Sequence, residues 1–135
     1  MKVHEIPGTL LMEWNDEVKA TIDTWSTYSI TVQQFRDAIL GKGVANAKAQ
    51  GGRAWVMDAS KAKGAFPSDV QKLIEAEVFK TFAKIGVKYF ITIKSTSAIT
   101  NMSIKSYTTH VGPCGIELVE VPDVAKAIAW LKEHR

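Results

Sequence analysis

The chain holds one cysteine, Cys114, in 135 residues. No internal disulfide can form, and a cytoplasmic location is the expectation. No apolar run approaches the roughly 20 residues that cross a bilayer, so no membrane span is expected. The opening stretch, MKVHEIPGTLLMEW, is broken by Pro7-Gly8 and carries Glu5 and Glu13, which does not fit a signal peptide. The phosphate-binding GxxxxGK[ST], the dinucleotide GxGxxG and the nucleophile-elbow GxSxG are all missing, which removes the usual grounds for nucleotide hydrolysis, dinucleotide chemistry and an α/β-hydrolase mechanism. Repeats, low-complexity tracts and linker-like shifts are absent too. Residues 1–135 therefore read as a single domain, long enough to bury roughly two-thirds of its unfolded surface.

What remains is an ordinary globular composition with a mildly basic balance. The net charge of +3 is spread from Lys19 to Lys132 and interrupted by Asp and Glu. Nucleic-acid binders concentrate such charge on one face, so no nucleic-acid partner is expected.

The apolar pattern divides the chain into alternating elements. Leu10–Trp14 and Val18–Trp25 read as a hairpin turning at Asn15-Asp16-Glu17. In its second strand Val18, Ala20, Ile22 and Thr24 alternate with Lys19, Thr21, Asp23 and Trp25. That period of two predicts one covered face and one wetter face. His4 falls in a terminus expected to fray.

A helix opens at Thr31, where Gln34 completes a capping box, and gathers Val32, Phe35 and Ile39 on one side. Gly41 and Gly43 predict a break before the helix resumes and stops at Gly51-Gly52. A strand from Arg53 to Asp58 follows. Ser68 reads as the N-cap of the next helix, with Gln71 as its reciprocal partner, and Gly86 as the stop. Val87–Lys94 is a central strand by its β-branched and aromatic content. A short helix over Ser97–Tyr107, a strand over Ile116–Val121 and a last helix capped at Pro122-Asp123 complete the order. Strands alternating with helices imply an α/β fold. Its sheet is expected to be mixed, mainly parallel and five-stranded, with an N-terminal antiparallel hairpin and flanking helices.

Candidate functional residues cluster in Arg53–Asp69, where a strand end, a polar loop and a helix start meet. Asp58 can form an Asx-turn with the amides of Ser60 and Lys61, or bind a ligand. Ser68 can cap its helix, or carry a phosphate beside Lys61 and Lys63. Trp25 and Tyr28 stand before the first helix, and with Trp55 they could line an aromatic site. His110 and Cys114 are too few for a zinc site. As a base and nucleophile they would make a hydrolase or transferase, the enzymatic alternative. No metal, cofactor or catalytic residue is assigned.

Several of these patterns together resemble the STAS superfamily, in its SpoIIAA-like branch of small bacterial domains. They are DTWSTYSITVQQF (23–35), the strand end at Trp55 and Asp58, GVKYFITI (86–93) and VAKAIAWL (124–131). The resemblance implies a non-enzymatic regulatory domain that binds a protein partner, a regulator or kinase, through the 58–69 loop and the helix 68–85. In anti-sigma-factor antagonists a serine at the start of that helix, within an Asp-Ser-Ser/Thr-Gly pattern, is phosphorylated. Here the stretch reads Phe66-Pro67-Ser68-Asp69-Val70, and Ser68 alone carries over. Distantly similar CRAL-TRIO domains imply the alternative of a small apolar or lipid ligand. A second copy of the chain is the remaining partner class.

Overall fold

Alternating side chains and two tight turns make the first three strands. The computed structural model describes all 135 residues and opens with β1 (Lys2–Ile6), β2 (Leu10–Asn15) and β3 (Ala20–Trp25), paired antiparallel in chain order. The expected frayed terminus is thus an edge strand. Pro7-Gly8, which reads as a break, is the turn of a first hairpin, with Gly8 at φ 73° and the Thr9 amide donating to the Ile6 carbonyl at 3.0 Å. At the second turn the Asn15 side chain accepts from the amides of Glu17 and Val18.

The remaining strands are parallel: β3 pairs with β4 (Ala54–Asp58), β4 with β5 (Tyr89–Ile93) and β5 with β6 (Glu117–Glu120). The sheet therefore has six strands, one more than the sequence pattern predicts, and runs in chain order from β1 to β6. Because each crossover moves one strand in the same direction, right-handed connections place every crossover helix on the same face. These helices are α1 (32–50), α2 (68–84) and α3 (Ala98–Thr108). Their apolar residues form one core with Trp25, Trp55, Met57 and Phe90. The opposite face, with Ala20, Ile22, Val56 and Ile91, is covered by α4 (Val124–Glu133) through Ala127 and Leu131. Arg53 fastens that helix by donating to the carbonyls of Leu131 (2.7 Å) and His134 (2.9 Å). No helix is long and apolar enough to cross a membrane.

This arrangement overturns the expectation of a wetter face on the second strand. With β2 on one side and β4 on the other, β3 is internal, and Thr21, Asp23 and Trp25 are buried under the three helices. Several local signals work as read. Thr31 and Gln34 form the capping box, and Asp123 caps α4; Ser97, which the sequence pattern marks only as the start of a helix, caps α3. Ser68 does not cap α2: it is the first helical residue, and the cap position belongs to Pro67, which offers no side-chain acceptor. The Gln71 amide donates to the Pro67 carbonyl instead.

The two glycines of α1 do not break it. The helix widens into π-type turns over Arg36–Gly43, where the Val44 amide reaches back to the Ile39 carbonyl, and continues through Val44–Gln50. A second widening occurs in α2 over Ile74–Val78. Such turns are rare and tend to occur at functional sites. Gly43 is required by packing, because a Cβ there would lie 2.8 Å from Cη2 of Trp55 and 3.1 Å from Cε of Met12. Gly41 meets nothing closer than the Arg36 carbonyl at 3.7 Å. Gly43→Ala should therefore cost about 1–3 kcal/mol in urea unfolding, whereas Gly41→Ala should be neutral or stabilise by up to about 1 kcal/mol.

Candidate functional site

The most unusual side chain in the fold is a carboxylate in the apolar layer beneath the three helices. Asp23, only 2% exposed, sits mid-strand in β3. The Trp55 indole Nε1 donates to its Oδ2 at 2.7 Å, while Oδ1 has no hydrogen-bond partner in the protein. Burial disfavours the charged form and pushes the carboxyl up to about 7, with the Trp55 hydrogen bond opposing the shift.

Asp23 faces a narrow cavity of about 30 Å³, whose other twelve lining residues are all apolar or aromatic. That is room for about two waters before any wall moves. The floor is the sheet, through Trp25, Trp55, Met57 and Phe90, and α3 contributes Tyr107. The helical walls come from the widened segments and the residues beside them: Phe35 and Ile39 on α1, and Ile74, Val78, Phe79 and Phe82 on α2. Arg36 and Glu77 join the two segments on the outside, with Nη2 to Oε2 at 2.9 Å and Nη1 to Oε1 at 3.4 Å. A half-exposed pair of this kind contributes under about 1 kcal/mol.

Two tyrosines extend the polar edge of the cavity. The Tyr107 hydroxyl donates to that of Tyr28 at 3.1 Å, and Tyr28 donates to Sδ of Met57 at 2.9 Å. Burial first, with a contribution from the Asp23 charge, pushes both phenols upward, so they stay neutral donors.

Of the residues singled out from the sequence, Trp25 and Trp55 line this cavity. Tyr28 lies behind it, stacked on Phe66 at 3.8 Å with ring planes 6° apart. The 58–69 segment plays a different part from an open polar cradle. The Ser60 amide donates to Asp58 Oδ1 at 2.9 Å, an Asx-turn. Beyond it the loop's backbone is consumed internally. The carbonyls of Ala62, Lys63 and Gly64 accept from Ser95 Oγ, the Tyr28 amide and Thr100 Oγ1, at 2.6, 2.9 and 2.6 Å. The Phe66 amide donates to Ser103 Oγ at 3.3 Å. Pinned in this way, the loop sets the Phe66 ring into the cavity wall, edge-on to Trp25 at 5.3 Å. Asp58, Ser60, Lys61, Lys63 and Ser68 do not line the cavity, and Lys61, Lys63 and Ser68 are exposed.

His110 and Cys114 share no hydrogen bond; His110 Nε2 lies 3.6 Å from Glu75 Oε1, and Cys114 is half-buried in the turn Gly112–Cys114. No group of three or more His, Cys, Asp or Glu side chains could hold a metal ion.

Asp23, Phe66 and Tyr107 were not singled out from the sequence. For Asp23 a usable signal existed: a strand with a hairpin partner on one side and a crossover partner on the other is internal, so a carboxylate in it is buried. For Phe66 and Tyr107 there was no comparable local signal, since loop closure and helix rotation place them. No family model, curated protein or solved structure matches the chain.

The raised carboxyl has a thermodynamic consequence. Between the ordinary carboxyl value of 3.8 and about 7, folded Asp23 keeps a proton that the unfolded chain has lost. Its contribution is therefore fully present at low pH, declines as pH rises through this window, and is level above it. Asp23→Asn should remove the decline. In urea unfolding the variant should gain on the native protein by a few kcal/mol, on the order of 2–4, between about pH 4 and about pH 8. Parallel stability curves for the two proteins would assign the titration elsewhere.

Proposed function

We propose that this protein is a non-enzymatic binding domain for a small, mostly apolar molecule, held between the sheet and helices α1, α2 and α3. The observation that carries the reading is the apolar cavity with one buried carboxylate oxygen left free to accept a hydrogen bond. Ligand sites are typically concave and apolar, with a few polar groups that fix orientation. A buried polar atom without a partner costs about 1–3 kcal/mol, so a ligand that supplies the missing donor recovers that cost. The two widened helical segments and Phe66 are the walls able to yield as the ligand seats.

Two tryptophans in the cavity make the test direct. Toluene and indole, titrated into the full chain, should change the emission of Trp25 and Trp55 and raise the melting temperature by several degrees at saturation. Phe66→Ala should lower stability by about 3–5 kcal/mol while tightening toluene binding, because it enlarges the cavity. If no apolar probe stabilises either protein, the proposal fails.

A second reading, a docking surface for a protein partner, is favoured by two exposed apolar side chains. Ile99 (63% exposed) and Met102 (72% exposed) flank a groove that also contains Ala65, Ser68 and Lys72. The resemblance to STAS regulators supports the same end of α2. If the partner is a second copy, sedimentation should reveal a dimer whose dissociation constant rises about tenfold or more in Met102→Lys. A monomer at every concentration would rule out self-association.

A further inference from the structure

We infer that the cavity's ligand is a small amine, bound in its protonated form with the ammonium seated against Oδ1 of Asp23. This rests on the ligand-binding reading above and adds the chemical class. When Asp23 is ionised, the free oxygen is an acceptor on a side chain that is almost fully buried, so whatever meets it in that state must donate. The remaining lining residues include no lysine, arginine or histidine. An acidic ligand would therefore find no cation and would face a like charge.

The walls favour a cation. Trp25, Phe35, Trp55, Phe66, Phe79 and Tyr107 bring aromatic rings to the cavity, and ring faces attract alkylammonium groups. An ammonium on ionised Asp23 leaves the buried pair neutral overall, and its attraction offsets part of the desolvation cost that an isolated buried charge would carry. The volume of about 30 Å³ has room for the ammonium and a carbon or two as it stands, so a longer alkyl skeleton enters only as Phe66 and the widened helical segments yield.

Alcohols also donate, and pH separates the two classes. An alcohol is best accommodated when Asp23 is protonated and the buried site carries no charge. An amine needs Asp23 ionised. Among the residues lining the cavity, the only other titratable group is Tyr107 on α3, with Tyr28 hydrogen-bonded behind it; the charged side chains of α1 and α2, among them Arg36, Asp37, Glu75 and Glu77, do not line it. Both tyrosines are neutral throughout the physiological range, so the pH dependence belongs to Asp23.

The experiment uses three probes of one skeleton, isobutylamine, isobutanol and isobutyrate, with toluene as the apolar control. Each is titrated into the full chain and into Asp23→Asn at about pH 5.5 and about pH 8.5 and constant ionic strength, read by tryptophan emission and by melting temperature. At the higher pH the amine should bind about tenfold or more tightly than the alcohol, and the acid should not bind. Between the two conditions amine affinity should rise about thirtyfold, following the ionised fraction of Asp23. Asp23→Asn should lose the amine preference and keep toluene. Equal binding of amine and alcohol, or amine binding that is flat with pH or survives in Asp23→Asn, overturns the amine assignment. If toluene still binds in those cases, the apolar-ligand reading stands. If none of the four probes binds, both readings fall together.

Discussion

The hydrogen bond from the Trp55 indole to Asp23 is the contact on which the rest of this fold turns. It pairs a buried carboxylate with the only donor it has in the protein, at 2.7 Å, and so holds a polar group inside an apolar layer. The same indole stacks on Phe82 of α2, with centroids 4.1 Å apart, and occupies the space that obliges α1 to carry glycine at position 43. One side chain therefore links β4 to β3, to α1 and to α2. Leaving Oδ1 unpaired costs free energy, and it is the one polar feature on which the proposed ligand selectivity rests.

The sheet order explains why the candidate site lies between layers. In doubly wound sheets the chain reverses direction across the sheet, and the crevice at the carboxyl ends of the strands becomes the ligand site. Here the parallel strands follow chain order. All three crossover helices share a face, and no such reversal opens a crevice beside Asp58. The space for a ligand is instead the seam where α1 and α2 pack over β3 and β4. Both helices widen at that seam. Ile39, Ile74 and Val78, which line the cavity, all lie within these widened segments.

Much of the architecture was legible from local chemistry. The Thr31–Gln34 capping box, the Asp123 cap, the Asn15 turn and the Asx-turn at Asp58 each rest on hydrogen bonds within four residues, and each forms as those residues suggest. The alternation of strands with crossover-length helices was enough for the α/β class. What misled was the assumption that a period of two means one wet face, because a strand's faces depend on what packs over them. β1 is not legible locally because its only partner, β2, lies across a Pro-Gly turn that reads equally well as a break. Ser68 reads as a cap because serine favours that position, but the chain enters α2 one residue earlier, with Pro67 at the cap.

The site divides in the same way. The sequence by itself determined the helix caps, the turns and the aromatic supply, since backbone dihedral preferences and short-range hydrogen bonds settle these without distant partners. It also placed Trp25 and Trp55 among the candidates. Tertiary structure alone decided that Asp23 is buried, that Phe66 closes the wall and that Tyr107 reaches Tyr28 across 79 positions of chain. Burial, cavity shape and the resulting carboxyl shift arise from surfaces that meet only after the sheet is ordered and three helices close on one face. Only then does an unremarkable Asp in an ATIDTW strand become the single carboxyl group of an aromatic cavity.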